Sequence, residues 1–422
     1  MNSHTILLKP KREKPVIQRH PWVYSGAIEQ IPKEIENGNV VDIADRQGNW
    51  LARGLLNRDS QIQIRILTWN EEEEVDHLFW QRRIEQAVRM RKALFPTSTA
   101  TAAYRLIHGE SDFLPGLTVD QYGEYLAIQI GSLGIEQRKV ELAQWLMEAT
   151  GCRGVVDRSD GVHRRKEKMP PLGDPLIAGE RPPDLITIEE AGKRFQVDLF
   201  NGQKSGFYLD QRENRQRVAT YCQGKRVLNA FSYTGAFAVH ALAAGAIHAT
   251  NVDTSYGALS QGEKHIQENG FDSLRQSEHI AGDIFEIMRD WRGYDHTDGY
   301  VDDQTVNEEP ENDSDYSDTF DLIILDPPKF AHSAGQLNRA LRGYKDINML
   351  ALQLLPPGGI LATFSCSGLV TADLFQKVLF GAAIDAKRDL QILERLGQPA
   401  DHPTAITFPE GNYLKGLVCR VV

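Results

Sequence analysis

Two places in this sequence set reactive side chains immediately beyond apolar runs. Phe320-Asp321-Leu322-Ile323-Ile324-Leu325 leads directly into Asp326-Pro327-Pro328-Lys329-Phe330. Paired prolines stop a strand and hold the backbone extended, so this pattern presents the Asp326 carboxylate at the end of a sheet. Ile360 to Phe364 is a second such run, and it ends in Ser365-Cys366-Ser367. A thiol on that edge can act as a nucleophile, whereas the commoner use of a cysteine is as a small buried packing group.

A third stretch suits ligand binding better than bond making. Val227 to Asn229 reads as a buried strand and the Ala-rich run after Gly235 as a helix, which makes Phe231 to Gly235 the tight turn between them. Such a turn exposes helix N-terminal amides at the carboxyl end of a strand, where α/β sheets keep their ligands. Gly235 lets backbone approach a ligand closely, and Phe231 and Tyr233 offer aromatic faces. About twenty residues later a second apolar segment ends in Asp253, a spacing suited to a ribose diol. GxGxxG spacing is absent, which argues against a nicotinamide cofactor. Asp283, after a short strand from His279, could meet an adenine amino group or simply form a turn. Residues 201 to 215 crowd Lys204, Phe207, Tyr208, Asp210 and Arg212 beside two glycines, reading as a cofactor-facing loop or, more plainly, a polar helix cap.

The rest of the chain must position these groups. At 422 residues and 41% hydrophobic it can bury more than one core, given about 150 residues per domain. Residues 1–72 are short-period and β-like, with strands at Val40 to Ala44, Trp50 to Leu55 and Gln61 to Leu67. Lys9, Lys11, Arg12, Lys14 and Arg19 precede Trp22 and Tyr24 there, a mixture that suits RNA, unless the aromatics are core. Residues 73–185 read as a helix plus a small α/β unit. The helix is expected to start within Glu71 to Glu74, and a second one to run from Ile135 to Thr150. Residues 186–422 complete the chain with the sheet that carries the reactive edge.

The net charge of −11 argues against a nucleic-acid partner until its distribution is considered. Residues 295–318 hold ten acidic side chains and no Lys or Arg, so taking ten negative charges from −11 leaves −1 for the remainder. That segment is expected to be a disordered loop. The four cysteines form no CxxC pair, which indicates neither a zinc site nor a disulfide framework. No run approaches the ~20 apolar residues of a membrane helix, and a cytoplasmic protein is expected.

Taken in order, Asn-Gly-Gln-Lys-Ser-Gly-Phe-Tyr-Leu-Asp-Gln-Arg at 201–212, Phe-Ser-Tyr-Thr-Gly at 231–235, Asp253, Asp-Pro-Pro-Lys-Phe at 326–330 and Ser-Cys-Ser at 365–367 resemble one family. It is the class I S-adenosylmethionine-dependent methyltransferases that form 5-methylcytosine in large-subunit ribosomal RNA and begin with a PUA domain. The resemblance covers nearly the whole chain. It implies an α/β fold: a PUA β-barrel, a small α/β middle domain, and a Rossmann-like methyltransferase sheet of seven strands whose last strand is antiparallel. It also implies homodimers, S-adenosylmethionine as cofactor and ribosomal RNA as substrate. Cys366 would then be the nucleophile, Asp326 would hold the cytosine, and Lys329 would orient base or phosphate. Tyr233 and Gly235 would face the methionine part of the cofactor, Asp253 its ribose and Asp283 its adenine, with Lys204, Phe207, Tyr208, Asp210, Arg212, Phe231 and Pro327 completing its surroundings. Two departures stand out, Ala236 in place of a second glycine and the length of the acidic segment. Two other readings compete: an amino-group methyltransferase acting on a purine, which needs no cysteine, and a non-catalytic RNA-binding assembly factor.

Overall fold

The computed structural model describes residues 4–96, 103–293, 320–331 and 333–422. The acidic segment at 295–318, expected to be disordered, lies outside them. The chain forms two compact units. The first is Met1–Gly192 with Gln196–Leu209 and Pro399–Asn412; the second is Lys193–Phe195 with Asp210–Gln398 and Tyr413–Val422.

In the first unit, a six-stranded sheet has the order Trp22–Tyr24, Ile62–Thr68, Trp50–Leu56, Val40–Ala44, Thr5–Leu8, Ile28–Gln30. Ile6, Leu8, Val23, Ile43, Ala52 and Ile64 fill its core. The two N-terminal aromatics differ in their surroundings. Trp22 packs on Phe408 at 4.8 Å between ring centroids and donates to Glu110 at 2.8 Å, whereas Tyr24 stays 47% exposed. A five-stranded sheet follows, in the order Leu176–Gly179, Gly154–Asp157, Tyr125–Ile130, Leu117–Tyr122, Ala103–His108. Buried Arg65 bridges Glu110 at 3.2 Å and Glu167 at 3.0 Å.

Two helices of this unit differ from expectation. The first spans His77–Leu94 and is capped by Asp76, which accepts from the Phe79 amide at 2.9 Å; Glu71 to Glu74 precede it. Glu73 instead pairs with Arg82 and Arg83 on the helix. The second is broken into Leu133–Glu136 and Lys139–Thr150. At the break, Glu136 is drawn to buried Arg164 at 2.9 Å, and Arg138 donates to the carbonyls of Gly38 and Gly134. These tertiary bonds outweigh the local helical preference on either side.

The second unit is built on one sheet. Its strands in chain order are β1 (Arg226–Ala230), β2 (His248–Asp253), β3 (Ser277–Ala281), β4 (Leu322–Leu325), β5 (Ile360–Ser365), β6 (Leu390–Gly397) and β7 (Lys415–Val421). Their order across the sheet is β3-β2-β1-β4-β5-β7-β6. The first five are parallel to one another; β7 runs antiparallel to both β5 and β6. Parallel strands covered on both faces are apolar throughout, and Leu322–Leu325 and Ile360–Ser365 are buried at every position. Among the described residues this unit's helices of eight residues or more are α1 (Arg212–Ala219), α2 (Ala236–Ala243), α3 (Tyr256–Glu268), α4 (Ile284–Trp291), α5 (Leu337–Leu354) and α6 (Ala372–Ala386). Parallel connection places the carboxyl ends of β1 to β5 along one edge, with the strand order reversing between β1 and β4. That is where an open α/β sheet opens a crevice for ligands. No helix among the described residues is long and apolar enough to cross a membrane.

Candidate active site

The turn after β1 adopts an unusual backbone. Phe231, Tyr233 and Gly235 have φ of +58°, +48° and +72°. A side-chain-bearing residue in this region costs about 1–2 kcal/mol, so neighbouring groups must hold the turn. Ser232 donates its amide to Val252 O at 3.0 Å and Gly235 donates to Ser232 O at 2.9 Å. The Tyr233 amide donates to Asp253 Oδ2 at 2.9 Å, while Asp253 Oδ1 accepts from the Ser255 amide, also at 2.9 Å. One carboxylate at the end of β2 thus fixes the turn at the end of β1. Each oxygen keeps lone-pair capacity for an incoming hydroxyl, as a ribose diol requires.

From below, α3 presses on the same turn. His265 Nδ1 lies 2.9 Å from Thr234 O, and a Cβ built on Gly262 would stand 3.2 Å from the Thr234 carbonyl carbon. A side chain at 262 would make the turn give by a few tenths of an ångström, and glycine avoids that. The hydroxyls of Ser232 and Thr234 are buried without a partner among the described residues. Buried orphan hydroxyls, a fixed carboxylate and a glycine-hinged turn fit a polar cofactor such as S-adenosylmethionine.

Asp283 lies one strand farther on. Gly282 donates to Asp253 O at 3.1 Å, and Asp283 accepts from the Phe285 amide at 2.8 Å, capping α4. The expected strand from His279 to Asp283 accordingly ends at Ala281. Phe285 then continues an aromatic run: 6.4 Å from Phe231, 6.3 Å from Phe330, with Phe330 4.7 Å from Tyr344, all between ring centroids.

The reactive end sits past β4 and β5. Leu325 pairs with Thr363, so Asp326 and Cys366 follow neighbouring parallel strands. Cys366 Sγ is 3.9 Å from Pro327 O, and Ser367 Oγ donates to Ala331 O at 3.3 Å, joining the two loops. Of the four cysteines, Cys152, Cys222 and Cys419 are buried and Cys366 is not. Burial pushes the thiols of Cys222 and Cys419 up to about 12, making them inert. Burial also raises the Tyr344 phenol, with smaller contributions from Cys366 and Asp326.

Lys415, the first residue of β7, was not among the residues picked from sequence. Its Nζ donates to Ser367 O at 2.8 Å and Tyr413 O at 2.7 Å. Burial pushes its amine down to about 8; Cys366 opposes that shift and Lys329 adds to it. Tyr413 also donates its hydroxyl to Asp210 at 2.8 Å. Asp210 and Arg212 are buried at 4% and 2% exposure, and Arg212 begins α1.

Phe231, Tyr233, Gly235, Asp253 and Asp283 therefore gather at the ends of β1 to β3, while Asp326, Pro327, Lys329 and Cys366 gather past β4 and β5. Lys204, Phe207 and Tyr208 belong to the first unit. There the Phe207 amide donates to Tyr122 Oη at 3.2 Å, Ser205 bonds Asp120, and Lys204 Nζ sits 4.3 Å from the Tyr208 ring centroid. Gly262, His265 and Phe285 were missed along with Lys415. Their only signal in sequence was local, a glycine and a histidine three residues apart on one helix.

Comparison with known proteins matches two domain families along the chain. Residues 6–69 match a PUA-like domain and residues 164–307 an S-adenosylmethionine-dependent methyltransferase. A protein named ribosomal RNA large subunit methyltransferase I from Escherichia coli O139:H28 is 45% identical over 420 residues, covering 100% of both chains. The chain belongs to the ribosomal RNA large subunit methyltransferase I family. A member of that name from Klebsiella pneumoniae is 43% identical over 417 residues, covering 99% of this chain and 98% of its own. Among solved structures, a proposed methyltransferase of this cofactor class from Streptococcus mutans superposes with a TM-score of 0.80 at 21% identity, covering 99% of this chain and 100% of its own. Another, solved with S-adenosylhomocysteine, gives 0.81 at 21% identity with the same coverage. These two share the fold. As a family member the protein is an S-adenosylmethionine-dependent methyltransferase with an N-terminal PUA-like domain.

Proposed function

We propose that this protein methylates C5 of a cytosine in large-subunit ribosomal RNA, with Cys366 as the nucleophile. The observation that carries the reading is the partly exposed thiol of Cys366 one residue past β5, 3.9 Å from Pro327 O in the Asp326-Pro327-Pro328-Lys329 loop. A methyltransferase acting on an exocyclic amine has no need of that thiol. The ribosomal substrate is taken from the name shared by the relatives.

In this reading Tyr233, Gly235, Asp253 and Asp283 hold the cofactor, with Phe231 and Pro327 beside it. Bound there, S-adenosylmethionine supplies an electrophilic methyl group. Cytosine C5 is a poor nucleophile, and the protein must activate it. The Cys366 thiolate adds to C6, forming an S–C6 bond and moving the C5–C6 π pair onto C5. In the complex Asp326 in its acid form donates to cytosine N3 while its other oxygen accepts from the amino group, offsetting the negative charge that develops on the ring. Lys329 orients the base or its phosphate. Once C5 carries its methyl group, the C5 proton passes to solvent water, its bonding pair restores the C5–C6 double bond, and the thiolate is expelled.

The step can be trapped. An RNA substrate carrying 5-fluorocytidine has no C5 proton to lose, so the wild-type protein should remain covalently attached to it under denaturing conditions. Cys366→Ala should give no adduct. An adduct formed equally by the variant, or none with either protein on an RNA that is otherwise methylated, would rule the thiolate route out.

A further inference from the structure

We infer that Lys415 is the counter-ion that holds Cys366 in its thiolate form, a role that rests on the reading of Cys366 as nucleophile. β7 runs antiparallel to β5 with Lys415 opposite Ser365, so the lysine enters the site beside the residue that follows, Cys366. Lys415 is only 8% exposed. Its ammonium has three hydrogens to donate, and two go to the carbonyls of Ser367 and Tyr413, which flank the site from β5 and β7. Among the described residues no carboxylate lies within ion-pair distance of it. A buried ammonium in such a place calls for a negative partner, and carbonyl dipoles alone supply only part of that need.

The charged groups acting on this amine come from two neighbouring loops. Cys366, past β5, favours its charged form; Lys329, past β4, disfavours it; the dominant influence is burial. The coupling is reciprocal: whatever the negative thiolate does to favour the ammonium, the ammonium does to favour the thiolate. Asp326 and the Tyr344 phenol on α5 also lie in electrostatic range of one another beside Cys366. Asp326 opposes a neighbouring negative sulfur, which makes a cation on the other side of the thiol more necessary. In the activation step the Cys366 S–H bond breaks with its electron pair kept on sulfur and the proton passes to solvent water, while Lys415 keeps its own three hydrogens as the ammonium beside the sulfur. The resulting ion pair adds to C6 through sulfur, and the same ammonium receives the thiolate when it leaves.

Lys415 acts through Cys366 and is a positioning residue, so the deciding readout is the thiol itself. The rate of iodoacetamide alkylation at Cys366 is followed against pH by peptide mass spectrometry, without RNA or cofactor, on the full-length wild type, Lys415→Gln, Lys415→Met and Lys415→Arg. Glutamine keeps donors for the two carbonyls and removes the charge; arginine keeps the charge. A wild-type midpoint below the ~8.5 of a free thiol is expected. Loss of charge should raise that midpoint by about one unit, slowing alkylation roughly tenfold at pH 7, while Lys415→Arg stays close to wild type. If Lys415→Met fails to fold, as a lost S-adenosylhomocysteine-induced melting shift would reveal, Lys415→Gln carries the comparison. Identical midpoints for wild type and the folded neutral variants would overturn the inference, whatever the methylated product. A shifted midpoint with a product other than 5-methylcytosine would leave the Lys415–Cys366 pairing standing and remove the functional reading instead.

Discussion

Replacing Asp253 by alanine should uncouple the turn after β1 from the sheet edge. The carboxylate accepts two backbone amides, Tyr233 and Ser255, each at 2.9 Å. Hydrogen bonds to a charged group contribute about 1.5–3 kcal/mol each. Asp253 is partly exposed, and water replaces some of what is lost, which places both bonds at the lower end. Release of Tyr233 from φ +48° returns about 1 kcal/mol. A net stability loss of roughly 2 kcal/mol follows, together with loss of the acceptor proposed for the cofactor ribose. If that acceptor is worth a further ~1.5–3 kcal/mol, affinity for S-adenosylhomocysteine falls roughly 10- to 100-fold. Isothermal titration calorimetry with S-adenosylhomocysteine measures it, and thermal melting without ligand measures the stability term. Asp253→Asn keeps one acceptor oxygen and should fall between. Binding by Asp253→Ala within twofold of wild type would refute both the ribose role and the clamp.

Two further tests address neighbouring groups. Gly262→Ala gains about 1 kcal/mol of helix propensity but sets a Cβ 3.2 Å from the Thr234 carbonyl carbon, so melting temperature should change little while S-adenosylhomocysteine affinity weakens several-fold; unchanged affinity would show that the turn yields freely. For Lys415, burial moves the amine from the ordinary 10.5 to about 8, so between those values the unfolded chain binds more protons than the folded one and this group's contribution to stability rises with pH. The full rise is worth roughly 3 kcal/mol, and urea unfolding at several pH values across that window should show it in wild type relative to Lys415→Met; a pH-independent difference between the two would contradict it.

The parts of this architecture that were legible in the sequence are those decided by local pattern. Leu322–Leu325 and Ile360–Ser365 are apolar on both faces because parallel strands are covered on both faces, and the groups that follow them, Asp326 and Cys366, inherit their positions from that. The turn between β1 and α2 was equally visible, since only a few residues separate strand from helix. Helix boundaries were less so. Glu71 to Glu74 suited a helix N-terminus, yet Asp76 caps the helix and Glu73 folds back to Arg82 and Arg83. Ile135 to Thr150 has one helical period, but Arg164, distant in sequence, draws Glu136 into a buried pair at its break. Lys415, Gly262 and His265 were invisible for a related reason: each matters only through what antiparallel pairing or helix packing sets against it. Asp283 is observed as a helix cap, accepting from the Phe285 amide through one oxygen; the adenine contact proposed for it would use the other.

The central claim is the identity of the methylated atom. Ribosomal RNA from cells lacking this gene, incubated with labelled S-adenosylmethionine and either wild-type protein or Cys366→Ala, can be digested to nucleosides and the label assigned. The account predicts labelled 5-methylcytidine with wild type and none with the variant. Label in a methylated purine, or full activity in Cys366→Ala, would contradict it.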